Sequence, residues 1–186
     1  FFFHPEDAIR DSSTSRGLGD VYKRQVDELR DETEILIVDA PAGASDNSIA
    51  FVGAADHVVV VLVGEPTSFL DAYSLIKAAN IESNVQNFNV VVNMARNASE
   101  ARAHFDKFNA TVGRFLDVNL KFAGHLPLSD RMRRAIVQRR PIGMESGQLP
   151  ENRSFMAMSK AVLESPKNLH DGIRFFSENE AATVGT

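Results

Sequence analysis

Four short runs of apolar residues constrain the fold of this chain most strongly. They occupy residues 34–39, 57–63, 88–93 and 122–127, and Pro127 ends the last of them. A continuously apolar run of this length is typical of a parallel strand that is covered on both faces. The runs therefore predict a sheet that lies between layers of helices.

Segments with helical spacing of apolar residues separate these runs. They lie at residues 69–79, 98–115, 132–136 and 155–162. Residues 66–68 supply a start signal for the first segment, and Asn97 with Glu100 is placed like a capping box before the second. Pro141 and Pro166 end the last two. This alternation predicts an α/β domain, a mostly parallel sheet flanked by helices with right-handed crossovers.

The composition excludes several functional classes. The chain has 186 residues, a formal net charge of −5 and no cysteine, so disulfides and thiolate metal sites are excluded. The acidic balance argues against a general nucleic-acid binder, and we expect no direct nucleic-acid contact. The longest apolar run, residues 58–63, is too short to span a bilayer. These features together favour an ordinary globular protein of the cytosol.

Polar or turn-forming residues follow every predicted strand. They lie at residues 39–43, 64–67, 93–96 and 127–130. In open parallel sheets, ligands bind outside the carboxyl ends of the strands, so these segments predict the rim of a pocket. Asp39, after four apolar residues, has the form of a Walker B strand, in which the carboxylate holds Mg²⁺ through water. An aspartate at this position is equally typical of a helix cap or a turn.

We interpret the first 25 residues as foreign to the native protein. Residues 15–25, SRGLGDVYKRQ, can be back-translated into an adapter used in DNA sequencing libraries. The alternative is a genuine leader segment. On the adapter interpretation Gly17 and Gly19 do not belong to a phosphate loop, and the native sequence starts near Val26. The predicted organisation is a leader at 1–25, a domain at 26–165 and a tail at 166–186.

The strand-end segments carry a resemblance to a known family. Residues 35–43, ILIVDAPAG, resemble the Walker B and switch II segment of MinD/ParA-type P-loop ATPases. Residues 65–77, 91–96 and 114–142 resemble, more specifically, the MinD-like flagellar-number regulators called FlhG or FleN. The resemblance implies an ATPase that dimerises around ATP, hydrolyses it, and moves between the cytosol and the inner membrane.

The resemblance also assigns roles to residues at the strand ends. Asp39 would be the aspartate associated with Mg²⁺, and Ala40, Pro41 and Gly43 would belong to switch II. In this assignment the carboxylate contacts the metal through water, and the loop after it senses the terminal phosphate of ATP.

Two further strand ends are implied to hold the adenine base. Asn93 would pair with the edge of the base through its amide. The loop from Pro127 to Asp130 would lie against the other side of the base. For Asn93, a helix cap or a turn residue is an equally weighted alternative.

Parts of the family pattern have no counterpart in this sequence. The glycine-rich loop with its lysines, and the switch I segment with its water-activating aspartate, belong before Val26 in the family. We therefore assign no catalytic residue to this chain. Since the missing loop supplies the backbone N–H groups and the lysine charge for phosphate, and the missing strand would leave sheet edges exposed, we expect neither ATP hydrolysis nor stable folding.

Two segments bear on partners. Five arginines between Arg131 and Arg140 lie on or next to the predicted short helix, and they favour a solvated helix face over a nucleic-acid or acidic-lipid contact. The tail has an apolar stretch around residues 169–176 but few basic residues, so packing or disorder is favoured over peripheral membrane contact. The resemblance implies a homodimer with ATP, and a flagellar GTPase or a transcription factor as partner.

Competing functions stay open on the sequence alone. Within the ATPase interpretation, chromosome or plasmid partitioning and division-site selection compete with control of flagellar number or placement. From a different class, a non-catalytic regulatory module could be built on the same fold. A lysine-bearing glycine-rich loop upstream of Val26 would distinguish an ATPase from such a module.

Overall fold

Alternating strands and helices build the molecule, and the computed structural model describes residues 2–3, 33–40 and 43–168. The strands are β1 (Phe2–Phe3), β2 (Ile37–Val38), β3 (Val58–Leu62), β4 (Asn87–Ala95) and β5 (Asn119–Pro127). The helices are α1 (Asp46–Ala54), α2 (Pro66–Ser83), α3 (Ala98–Val112), α4 (Asp130–Val137) and α5 (Pro150–Leu163), with a 3₁₀ turn at Ile142–Met144.

The central sheet has three parallel strands in the order β3-β4-β5. Val58 pairs with Phe88 and Leu62 with Val92, so β3 and β4 run in register along the whole of β3. Helix α2 connects β3 to β4, and α3 connects β4 to β5. The predicted mostly parallel α/β architecture is confirmed.

Local sequence signals explain where the helices begin. Pro66 occupies the first turn of α2, where its missing N–H costs nothing. The Asn97 side chain caps α3 by accepting a hydrogen bond from the Glu100 N–H at 2.9 Å, as the capping-box spacing predicts. Helix α1 was not predicted, although Ser45 caps it by accepting from the Ser48 N–H at 3.2 Å.

One face of the sheet carries the main hydrophobic core. Alternate residues of β3 and β4, among them Leu62 and Val90, point to this face and are buried. Helices α2 and α3 cover it, and Phe108 of α3 packs against Phe69 of α2 with ring centroids 5.4 Å apart. The helical spacing predicted for α2 and α3 is therefore the spacing of their buried faces.

The opposite face is covered only in part. Helix α5 packs on β5 and the middle of β4, where Val91, Ala123 and Met158 form a second, smaller core. Val59 and Val61 of β3 lie on the same face and are exposed. The expectation that β3 is covered on both faces is therefore wrong, because no described element packs over its outer residues.

The apolar run at residues 34–39 forms a shorter strand than predicted. Only Ile37–Val38 is extended and paired, and its partner is Phe2–Phe3 rather than the three-stranded sheet. Ile35 and Ile37 are exposed, so this run too is covered on one face only. An open strand edge offers N–H and C=O groups to any extended apolar segment, and Phe2–Phe3 is such a segment.

Two predicted helix limits differ from the structure. Phe115, expected on the face of α3, lies beyond the end of that helix at Val112 and is exposed, with its ring 6.4 Å from that of Tyr73. Helix α4 ends at Val137, before Pro141 is reached. In both places the residues after the helix form a turn, and their N–H groups donate to C=O groups in the last turn of the helix. Neither a proline nor an aromatic contact is needed to end the helix there.

A buried polar cluster ties the end of α5 to the amino ends of β3 and β4. The Ser165 hydroxyl donates to the Val162 C=O at 2.6 Å and accepts from Asn89 Nδ2 at 3.0 Å. His57 Nδ1 lies 3.0 Å from the same oxygen. Asn168 then accepts from the Asn87 N–H at 2.8 Å, so packing against the sheet continues to the last described residue.

Within the described residues, none of the helices is long and apolar enough to cross a membrane. Gly17, Gly19 and the apolar stretch at residues 169–176 lie outside the described residues.

Candidate functional site

The carboxyl ends of β4 and β5 bring two of the predicted site segments together. Ala95 pairs with Pro127, and the Leu128 N–H donates to the Ala95 C=O at 2.9 Å. The ladder is irregular between Val92 and Ala95, where β4 bulges. Asn93 and Pro127, which are far apart in the chain, therefore lie on neighbouring strands at the same edge of the sheet.

Asn93 occupies the bulge with its amide oriented by the backbone. Its Oδ1 accepts from the Met94 N–H at 2.9 Å, which identifies the other side-chain atom as the NH₂ donor. Met94 has a φ of 59°, a left-handed conformation that is strained for a residue with a side chain. The half-buried Asn93 thus presents a donor, and a second lone pair on Oδ1, at the edge of the sheet.

The loop from Pro127 to Asp130 leads into α4 and is held by Ser129. The Ser129 hydroxyl caps α4 by accepting from the Arg131 and Met132 N–H groups at 3.2 and 3.3 Å. It also donates to Glu151 Oε1 at 2.5 Å, and this hydrogen bond holds the pKa of the buried Glu151 carboxyl below its ordinary value. Leu128, between Pro127 and Ser129, is exposed.

A third strand end reaches the same edge through Gly64. A Cβ on Gly64 would lie 2.4 Å from His104 Nε2, so a larger residue at the end of β3 would require the imidazole of α3 to move. On α3, Glu100 accepts from Arg96 Nη2 at 2.7 Å and from the Arg96 N–H at 2.6 Å. The side-chain bond to Arg96 lowers the pKa of Glu100 and raises that of Arg96.

The Arg96–Glu100 pair was not predicted as part of the site. Both groups are exposed enough for solvent to screen their charges, so the pair orders the loop after Asn93 more than it adds stability. Sequence spacing alone signals an i,i+4 ion pair, which is common on any helix surface. It does not signal that Glu100 reaches back past Asn97 to the backbone of Arg96.

The predicted switch II residues follow β2, which pairs with β1 rather than with the three-stranded sheet. Asp39 is exposed, Ala40 is half-buried, and Gly43 has a φ of 97° that favours glycine. Pro41 lies outside the described residues. No strand pairing among the described residues therefore links Asp39 to Asn93.

The donor set around Asp39 bears on the implied Mg²⁺. Across residues 33–40 and 43–168, no three His, Asp or Glu side chains are grouped so that they could hold a metal. A lone exposed carboxylate fits a contact to Mg²⁺ through water, since Mg²⁺ keeps several waters and takes other ligands from phosphates. Asp39 therefore suits the implied role.

Residues 23–163 match the protein family described as ParA, NUBPL iron-transfer P-loop NTPase. Antiactivator FleN of Pseudomonas aeruginosa is 34% identical over 153 residues, which are 81% of this chain and 55% of FleN. Flagellum site-determining protein YlxH of Helicobacter pylori is 27% identical over 122 residues, 62% of this chain and 41% of YlxH. The chain thus spans about half the length of the curated relatives it matches.

Solved structures agree on the fold. The MinD cell division protein of Aquifex aeolicus superposes with a TM-score of 0.60 at 16% identity, over 79% of this chain and 61% of MinD. The septum site-determining protein MinD of Pyrococcus horikoshii, complexed with Mg-ADP, has a TM-score of 0.59 at 13% identity, over 81% and 57%. At this level of identity the likeness shows the fold alone.

Proposed function

Because this chain belongs to the ParA family of P-loop NTPases, we propose that the carboxyl ends of β4 and β5 hold the adenine base of ATP. We propose further that the whole protein uses ATP to regulate the number or placement of flagella. The observation that carries the nucleotide proposal is the pairing of Ala95 with Pro127, which sets the oriented Asn93 amide beside the Pro127–Asp130 loop.

The chemistry of Asn93 favours adenine. Adenine offers a ring-nitrogen acceptor next to an exocyclic amino donor, and an asparagine amide can meet both at once. Asn93 Nδ2 is available to donate, and Oδ1 has a second lone pair after accepting from Met94. Guanine places an acceptor oxygen where adenine has its amino group, so the Oδ1 of Asn93 would face another acceptor.

Asp39 is the residue that we propose acts near the phosphates of ATP. ATP bound with Mg²⁺ would supply a metal that neutralises the phosphates. The exposed Asp39 carboxylate would orient a metal-bound water, and Ala40, Pro41 and Gly43 would follow the terminal phosphate. Gly43 has a φ of 97° and open space around it. Glycine at this position can change its backbone conformation more readily than any other residue type could.

The flagellar role rests on the relatives. FleN, an antiactivator, and YlxH, a flagellum site-determining protein, both match along the domain. Segments 65–77 and 114–142, which resemble the flagellar regulators, lie at the carboxyl edge and along β5 and α4. Dimerisation around ATP, a flagellar GTPase or transcription factor as partner, and a cytoplasmic location with peripheral contact to the inner membrane are parts of the same proposal.

A chimera tests the nucleotide proposal. Residues 26–168 replace the matching part of Pseudomonas aeruginosa FleN, and fluorescent ATP and GTP analogues are titrated into the purified protein. We expect Asn93→Ala to reduce the preference for ATP over GTP about ten-fold, the worth of one or two hydrogen bonds. Asn109→Ala, at an exposed position on α3, is the control. An unchanged preference in Asn93→Ala would contradict base recognition by this amide.

The same chimera tests the flagellar proposal. It is expressed in Pseudomonas aeruginosa cells that lack FleN, and flagella per cell are counted by electron microscopy. We expect the chimera to restore the number found in cells with FleN, and the Asp39→Ala chimera to fail although it accumulates to the same level. A chimera that changes chromosome segregation or division-site position, and leaves the flagellar number unaltered, would refute the proposal.

A further inference from the structure

A groove lies between α4, the 3₁₀ turn and α5, and Asn93 is not among the residues that line it. We call it the α4–α5 groove; its volume is about 640 Å³. Its apolar lining includes Met132, Ile136, Ile142, Phe155 and Met156. Side chains from two helices and the connecting turn thus converge on one concavity.

The apolar lining of the α4–α5 groove is open to solvent. The side chains of Ile136 and Met156 are both 73% exposed. An exposed apolar concavity of this kind marks an interaction site, since surface apolar residues otherwise lie scattered. Two of the lining residues are methionines, whose flexible side chains adapt to different partner surfaces.

Two positively charged side chains line the groove beside its apolar residues. Arg139 and Arg140 line it, and within the part of the chain that the structure describes neither forms an ion pair. Arg139 has a φ of 52°, a left-handed conformation that turns the chain sharply after α4. The sequence favoured a solvated helix face for this arginine cluster, whereas the structure places two of its members at an apolar groove.

A buried amide at the groove lacks one hydrogen bond. Asn152 lines the groove and is only 7% exposed. Its Nδ2 donates to the Ser146 C=O at 2.9 Å and to the Ile142 C=O at 3.4 Å. Among the described residues, its buried Oδ1 has no donor. An unsatisfied buried acceptor costs free energy, and this oxygen is closed off from solvent.

We propose that the α4–α5 groove binds an acidic amphipathic helix of a partner protein. Apolar side chains on one face of such a helix fill the groove, in the manner of helix-in-groove recognition. Carboxylates at the border of that face meet Arg139 and Arg140. The choice of an acidic partner rests on charge complementarity, because the groove pairs an apolar lining with unpaired guanidinium groups.

Peptide binding to the full chain tests this proposal. The probe is a fluorescein-labelled peptide of about 15 residues, with leucine at i, i+3, i+4 and i+7 and glutamate at the flanking positions. A control peptide has lysine in place of every glutamate. Anisotropy reports binding, and the shift of the thermal unfolding midpoint reports it independently. A ligand that binds only folded protein raises that midpoint even when the chain is marginally stable.

Charge reversal tests the two arginines. We expect Arg139→Glu/Arg140→Glu to weaken binding of the acidic peptide about ten-fold or more. The matched control is Arg133→Glu/Arg153→Glu, which makes the same change in net charge at exposed positions that do not line the groove. We expect the control to change the affinity less than about two-fold, the part due to long-range charge.

Substitution of the lining tests the groove itself. Met156→Glu places a carboxylate at an exposed lining position, where it leaves the fold intact and repels the peptide. Ala157→Glu, on the next residue of α5, is exposed but does not line the groove. We expect only Met156→Glu to weaken binding about ten-fold.

Several results would overturn the proposal. One is equal binding of the acidic and lysine peptides. The same holds for an equal loss of peptide affinity in a groove variant and in its matched control. Another is binding of the wild type, and not of Arg139→Glu/Arg140→Glu, to vesicles containing phosphatidylserine without any binding of the acidic peptide. The last is a chain ended after Asn168 that binds the peptide about ten-fold more tightly than the full chain, which would identify residues 169–186 as the occupant.

Discussion

The two faces of β3 differ although the same residue type lines them both. Val58 and Val60 point toward α2 and α3 and are buried, with Val60 only 4% exposed. Val59 and Val61 point the other way, and Val61 is 54% exposed. On the next strand, β4, both faces are covered: Val90 is buried on one face and Val91 on the other. The reason is that α5 lies over β4 and β5 but not over β3.

This difference shows that an apolar run does not say how many of its faces are covered. Each valine would contribute about 1.5–3 kcal/mol if it were moved from water into a core. On the core face of β3 this contribution is realised, and on the outer face it is not. The expectation that the chain does not fold stably remains a prediction, and the exposed valines are consistent with it.

The comparison of the faces is tested by unfolding measurements on paired variants. Sucrose is included throughout, since it favours compact states and brings a marginal domain into a measurable range. Urea midpoints are then compared between variants under the same conditions.

The largest loss of stability is expected when a side chain on the buried face of β3 is shortened. Leu62→Ala leaves a cavity at a fully buried position between β3 and α2, and we expect a loss of about 2–5 kcal/mol in the free energy of unfolding. Val61→Ala, one residue before it on the exposed face, should change this free energy by less than about 0.5 kcal/mol. Equal losses in urea unfolding would show that the outer face is covered in solution.

A smaller loss is expected at the polar end of the outer face. Ser165→Ala removes the acceptor for Asn89 Nδ2, whose remaining partner is the Val58 C=O at 3.4 Å. Leaving this buried donor poorly paired should cost about 1–3 kcal/mol. Ser159→Ala, at an exposed position on α5, is the control and should be near neutral. The same midpoint for both variants in urea would show that the cluster does not order the outer face.

The same cluster predicts a pH dependence. Burial lowers the pKa of His57 below its ordinary value of 6.5, and Lys167 and Lys121 act in the same direction while Asp56 opposes them. The unfolded chain then binds more protons than the folded one, so stability is complete above pH 6.5 and falls as the pH is lowered through that value. His57→Gln should remove this contribution to the change of stability with pH.

Urea unfolding of wild type and His57→Gln, measured from about pH 7.5 to about pH 5.5, checks this sign. Since Ser165 donates to Val162, His57 Nδ1 is the donor in its bond to Ser165, and the glutamine amide can replace that donor. A wild-type stability that rises on acidification in this range would contradict the prediction.

The smallest change in stability is expected on the exposed valines. Val59→Lys/Val61→Lys replaces two exposed apolar residues with charges, and the free energy of unfolding should change by less than about 1 kcal/mol. Self-association should decrease, because exposed apolar patches drive it. Sedimentation velocity measures the association, and Lys77→Ala on α2 serves as a surface control. An unchanged association state would show that another surface of the chain is responsible.

Much of the fold could be predicted from local patterns. The spacing of apolar residues in 98–112 located α3, and Asn97 with Glu100 located its start. The run at 57–63 located β3 to within a residue at each end. These signals are local, because a cap or a helical face involves residues within a few positions of each other.

The candidate site was predictable only as a set of strand ends. Asn93 and Pro127 were expected at one edge, and their strands do meet there. The left-handed Met94 and the bulge that orients Asn93 have no sequence signature, since both arise from the pairing of β4 with β5. The α4–α5 groove was missed for the same kind of reason: Ile136, Arg139 and Asn152 come together only when α5 packs back on the sheet.

Short-range patterns of residues are enough to predict the order and type of the main elements and the parallel direction of the sheet, because hydrophobic period and capping act over short distances in the chain. Three features emerge only in the folded chain: which face of each strand is covered, which strand ends share an edge, and which arginines lie beside an apolar groove. Those outcomes depend on contacts between residues far apart in sequence, and burial is a property of what lies above a side chain rather than of the side chain itself.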